Sequence, residues 1–176
     1  MGNNELIVAM TEFYTGDPRQ IQHFLKVFAF AKMIGEIEGL NEKEQMILET
    51  AAIVHDIGIK PSLEKYGNCN GKNQEIEGPP VCEELLSRLG YPVDVIGRVS
   101  YLVGHHHTYT DIDGLDYQIL VEADFLVNLY EGETDNHPVE SVIRKIFKTE
   151  AGIRIVKNMF APEREVKWTP VGGAKI

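Results

Sequence analysis

The amino-acid sequence predicts an all-α fold of about seven or eight helices, and three observations predict it. Apolar residues recur at steps of three and four through most of the first 160 residues. Helix start and stop signals, such as Asp17-Pro18 and the pair Asn41 and Glu44, fall between those runs. Within the same span no stretch alternates apolar and polar residues long enough to read as a strand, and no internal repeat or low-complexity segment intervenes.

Taken in order, Leu6, Ile7, Met10, Phe13 and Tyr14 mark one side of a short helix over residues 3–14. Thr15-Gly16-Asp17-Pro18 then supplies a stop, an N-cap and a proline for the first turn of the next helix. That helix runs to about Glu38, with Ile21, Phe24, Leu25, Val27, Phe28, Ala31 and Ile34 on a broad apolar face. Gly39-Leu40-Asn41 breaks the chain, and Asn41 with Glu44 forms a capping box for a helix reaching about Ile57. Gly58 and Pro61 end it. Residues 59–73, polar and glycine-rich, read as a loop that is either a substrate-facing lid or a surface insertion.

A helix over about 74–89 follows, interrupted early by Gly78-Pro79-Pro80. Gly90-Tyr91-Pro92 separates it from another, whose Val95, Ile96, Val99, Leu102 and Val103 lead to His105-His106-His107. A turn at Asp111-Ile112-Asp113-Gly114 precedes a strongly apolar helix from Leu115 to Tyr130. His137-Pro138 opens a shorter helix to about Lys148, and a last one runs from Glu150 to Phe160. Residues 1–160 thus read as one domain, and 161–176, with Trp168, as a C-terminal extension that is docked or partly disordered.

A hydrophobic share of 43% and a charged share of 25% are ordinary for a soluble globular chain. No apolar run approaches the roughly 20 residues of a membrane span. Met1-Gly2-Asn3-Asn4-Glu5 lacks the basic and apolar parts of a secretory signal, so the expected compartment is the cytoplasm. Cys69 and Cys82 do not form a C-x-x-C pair and read as a loop thiol and a helix thiol rather than a zinc ribbon or a disulfide framework. The net charge of −10 argues against a duplex nucleic acid partner. It also means that an anionic substrate needs a local positive centre, such as a metal. A homo-oligomer is left open.

The candidate ligands come from three segments expected to face the core. His55-Asp56 ends the apolar run Ala51-Ala52-Ile53-Val54. Burying an ionised carboxylate without a partner costs several kcal/mol or more, and a cation is the simplest partner for both groups. His23 aligns with Val27, Phe30 and Ile34 on the inner face of its helix. Asp124, flanked by Ala123 and Phe125 and followed one turn later by Asn128, is equally hard to explain as solvated. Of the three adjacent histidines, His106 shares the face of Val95, Val99, Leu102 and Val103 and is the most inward. Two imidazoles and two carboxylates make a mixed N/O set suited to Mn, Fe, Ni, Zn or Mg.

The order His23, His55-Asp56, Asp124 resembles the signature of the HD-domain superfamily of metal-dependent phosphohydrolases, over about residues 17–130. The resemblance implies an HD-domain-like helical bundle with those four residues around one divalent ion in the core. His105 and His106 are similar to the extra histidines of two-metal members. Such members also carry a histidine in the middle helix, where this chain offers Gln74, Glu75 and Glu77, so a second metal is open. His105 and His106 otherwise complete a weaker site or touch substrate phosphate. Lys60, shortly after the ligands, is either a point charge for a phosphate oxygen or a surface lysine.

The implied activity is hydrolysis of a nucleotide or other small phosphate ester through a metal-activated water. In it Asp56 bridges two metals or orients the water, and His105 or His106 holds substrate or protonates the leaving oxygen. Two alternatives keep the same fold. One is a di-iron oxygenase, which needs two irons and further histidine ligands. The other is a ligand-binding or regulatory module that holds a nucleotide without releasing phosphate.

Overall fold

Asp17 starts the longest helix, α2 (Pro18–Glu38): its carboxylate accepts the backbone N–H of Gln20 at 3.0 Å. Gly39 closes it with a φ of 78°, a left-handed value that favours glycine. Before it lies α1 (Asn3–Phe13), and after it α3 (Glu42–Val54), which carries the expected capping box between Asn41 and Glu44. The computed structural model describes residues 2–132 and 139–160. Every regular element among the described residues is a helix, and there are nine. The remainder are α4 (Ile59–Tyr66), α5 (Gly71–Arg88), α6 (Val93–Val103), α7 (Leu115–Glu131), α8 (Val139–Ile146) and α9 (Glu150–Phe160).

Two expectations need correction. The segment 59–73 is not a loop: α4 fills its first half, Gly67 caps that helix at φ 70°, and Asn70 starts α5 by accepting from Asn73 N at 3.0 Å. Pro61 misled because it lies in the first turn of α4, where a missing N–H breaks no helical bond. Nor is the next helix interrupted, since α5 continues unbroken across Gly78-Pro79-Pro80. Prolines inside a helix cost about 3 kcal/mol or more. Tertiary packing offsets this. A Cβ on Gly104 would lie 3.1 Å from Pro79 Cγ, and one on Gly78 only 2.7 Å from Val103 Cγ1, so α5 beds closely on α6. The start expected at His137-Pro138 and the extension 161–176 lie outside the described residues, while the body of the expected helix is α8, which ends at Ile146.

The core is built on α2, α3 and α7, which pack against one another. Their buried faces include Phe24, Val27 and Ala31, then Leu48, Ala51 and Ala52, then Leu120, Ala123 and Val127. Burial of a large apolar side chain stabilises by about 1.5–3 kcal/mol, so this centre holds the fold. Helix α1 packs on α3, the pair α5–α6 lies against α3 and α4, and α9 closes the outside of α2 and α7. Each central helix therefore delivers polar side chains to a common interior point. Among the described residues, no helix is long and apolar enough to cross a membrane.

Candidate metal centre

His55 is the first residue past α3 and is 1% exposed. Its Nδ1 lies 2.9 Å from Ala52 O. A carbonyl can only accept, so the Nδ1 of neutral His55 carries the proton and Nε2 presents a lone pair. His106, 1% exposed in the turn after α6, repeats the device with Val103 O at 2.8 Å. His23 in α2 achieves the same through Glu131 at the end of α7, its Nδ1 donating to Oε2 at 3.0 Å. Glu131 is held in turn by Lys26.

Three Nε2 atoms thus converge on two buried carboxylates. His23 Nε2 lies 3.2 Å from His55 Nε2 and 3.2 Å from Asp124 Oδ1. Asp56 Oδ2 lies 3.3 Å from His55 Nε2 and 3.4 Å from His23 Nε2. The other oxygen of Asp56 faces the other way, 3.5 Å from His106 Nε2. Gln20 Nε2 donates to Asp56 Oδ2 at 2.7 Å, and the Tyr14 hydroxyl donates to its backbone oxygen at 2.6 Å.

The side chains fit a divalent cation. Two imidazole lone pairs 3.2 Å apart repel unless a positive charge lies between them. His106 Nε2 is buried with no hydrogen-bond partner. His23, His55 and Asp56 form one group of potential ligands, and Asp56, His106 and His107 form another. Asp56 is shared. The electrostatics agree: burial alone would depress the pKa of His55, yet Asp56 and Asp124 hold it well above the ordinary histidine value. Burial likewise opposes ionisation of Asp56, and the neighbouring His55 and His106 nonetheless hold it well below the usual carboxylate range. His107 goes the other way. Burial and the neighbouring His106 push it down to about 4, so it is neutral at physiological pH.

His23, His55, Asp56, Asp124 and His106 are therefore brought together. His105 is not: its ring stacks on Tyr101 at 4.1 Å, and its Nδ1 bonds Tyr101 O at 2.7 Å. Lys60 is not either, because it is exposed on the first turn of α4 with its ammonium over the Phe13 ring at 5.3 Å. Sequence reasoning missed His107, Gln20 and Glu131. Gln20 lies one turn before His23, and Glu131 two turns after Asp124, so helical spacing could have found both. His107 carried no such signal, because α6 ends at Val103 and helical directions no longer apply. Its backbone N–H is fixed by Glu75 Oε1 at 3.1 Å.

A cleft of about 310 Å³ opens onto the cluster and is lined by Gln20, His23, Asp56, Gln74, His107 and Asp124, among others. No curated protein and no solved structure matched the chain. The model of the HD domain matches residues 21–168, a span that takes in every candidate ligand described above, and the chain belongs to the HD-domain family.

Proposed function

We propose that this protein is a metal-dependent phosphohydrolase acting on a nucleotide or other small phosphate ester. The observation that carries the reading is the shared tautomer of His23, His55 and His106, each fixed at Nδ1 so that Nε2 faces Asp56, with Asp124 also facing His23 and His55. His23, His55, Asp56 and Asp124 would hold the first divalent ion, of the Mn, Fe, Ni, Mg or Zn class. A cation bound there supplies Lewis acidity, polarising a phosphoryl oxygen and making water nucleophilic at neutral pH.

The chain does the rest. Asp56, with one oxygen toward each ligand group, orients the attacking water, and Gln20 fixes its rotamer. His106 Nε2 has no other partner and is placed to hold the proton for the leaving oxygen. His107, being neutral, offers a lone pair to a second cation or a hydrogen bond to substrate, rather than a charge. The three-residue set of Asp56, His106 and His107 also favours the di-iron oxygenase as the second reading, since that reaction requires a second metal.

The test is elemental analysis of protein purified without chelators. Phosphate release is then assayed on nucleotides and a generic phosphodiester with added Mn, Fe, Ni or Mg, with oxygen uptake in parallel. Metal-dependent phosphate release is expected. Two irons with oxygen-dependent turnover would transfer the assignment to the oxygenase. Tight nucleotide binding by folded, metal-loaded protein without phosphate release would leave a binding module.

A further inference from the structure

Four side-chain atoms around the centre and its cleft are buried without a hydrogen-bond partner: His106 Nε2, His107 Nε2, Gln74 Oε1 and Asn128 Oδ1. The proposed centre accounts for the two histidines. It does not account for the amides. Gln74, on α5, is only 7% exposed and lines the cleft. Its Nε2 donates to Cys69 O at 2.7 Å, which fixes the amide and leaves Oε1 as its free atom. Asn128, on α7 one turn after Asp124, lines the same cleft. Native proteins rarely leave such buried oxygens alone, so a donor is expected to seat there.

The chemistry of that donor follows from its surroundings. Apart from the cluster's own Asp56 and Asp124, the cleft is lined by Asp17, by Arg19 and by Glu131, the last already paired with Lys26 and His23, and Gln74 adds an oriented acceptor. A phosphate, itself made of acceptors, cannot satisfy Gln74 Oε1 and belongs at the metal cluster. A hydroxyl can. We infer that Gln74 is a specificity-determining residue that reads the alcohol half of the substrate. Its Oε1 accepts a hydrogen bond from a hydroxyl of that alcohol, which selects phosphate esters of polyols, sugars included, over those of plain alkyl or aryl alcohols. The inference rests on the phosphohydrolase reading. A site built to bond a hydroxyl discriminates against the analogue that lacks it, because the buried acceptor is then left unpaired.

The experiment compares glycerol 3-phosphate with propyl phosphate, and adenosine monophosphate with its 2′,3′-dideoxy analogue, with p-nitrophenyl phosphate as the hydroxyl-free reference. Manganese-loaded wild type is expected to favour each hydroxylated ester in kcat/KM by roughly tenfold or more. Gln74→Met should abolish that preference by raising KM, while metal content and turnover of p-nitrophenyl phosphate stay unchanged. Equal rates on the matched pairs in wild type overturn the inference while the hydrolase reading stands, whether or not the variant folds. So does an undiminished preference in Gln74→Met. Loss of metal from folded Gln74→Met also overturns it, by making Gln74 a ligand. Silence of the loaded wild type on every ester sinks the hydrolase reading itself, and this inference with it.

Discussion

Asp124→Asn isolates what the cluster is for. The substitution keeps the shape of the side chain and removes one carboxylate from a set in which its Oδ1 lies 3.2 Å from His23 Nε2 and 3.5 Å from His55 Nε2. An ion that binds only the folded state stabilises it by about 2.7 kcal/mol at a hundred times its Kd. For a chain of this size that is a rise in Tm of about 5–10 °C. If losing the carboxylate weakens binding about a hundredfold, the same ion concentration sits at the variant's Kd and contributes only about 0.4 kcal/mol, or about 1 °C. The assay is a pair of thermal melts on chelator-stripped protein, with and without manganese, for wild type and variant. The ion-dependent increment is the readout, so any change in ion-free stability cancels. An Asp124→Asn protein that gains as many degrees from manganese as the wild type would refute the claim that Asp124 holds the ion.

Two further outcomes follow from the same geometry. In ion-free protein burial lowers the pKa of His23 and His55, but the carboxylates of Asp124 and Asp56 outweigh it and raise both, while Asp56 and Asp124 are depressed. The histidine contribution is fully present below about 6.5 and lost as pH rises through the raised folded values; the aspartate contribution is present above about 4 and lost only at lower pH. Ion-free protein should therefore melt higher at about pH 5.5 than at about pH 8.5, and the manganese increment should grow over that range as Nε2 protons leave. An ion-free Tm that climbs instead would contradict the cluster's electrostatics. Separately, a Cβ on Gly58 would lie 2.5 Å from Gln74 O and 3.0 Å from Gly78 N, both backbone atoms of α5. Gly58→Ala should cost about 1–3 kcal/mol, seen as a lower denaturant midpoint with an unchanged slope; an unshifted midpoint would show that α5 yields freely.

The parts legible in the sequence were those set by one helix at a time. Periodicity places His23 beside Val27 and Ile34, and composition alone makes Asp124 conspicuous among Ile119, Leu120 and Leu126. The caps at Asp17 and Asn41 are side chains bonding their own next turn, so they stand where local rules put them. What stayed hidden depends on a second element. Pro61 and the pair Pro79-Pro80 looked like breakers because the propensity rule is local, whereas the neighbours packed against α5 there, Val103 and Gly104, lie more than twenty residues further along the chain.

The same division separates the histidines, and it explains why one of the three brings a remote partner while two do not. His55 and His106 stand just beyond the ends of α3 and α6, where Nδ1 turns back to a carbonyl three residues earlier. Their tautomers are written into their own backbone. His23 lies inside α2, where carbonyls are spent on helical bonds, so its Nδ1 must find an acceptor elsewhere. It takes Glu131, 108 positions away. A histidine placed mid-helix to present Nε2 therefore needs an acceptor from outside its own helix, and here that need ties the C-terminal end of α7 to the cluster through Glu131.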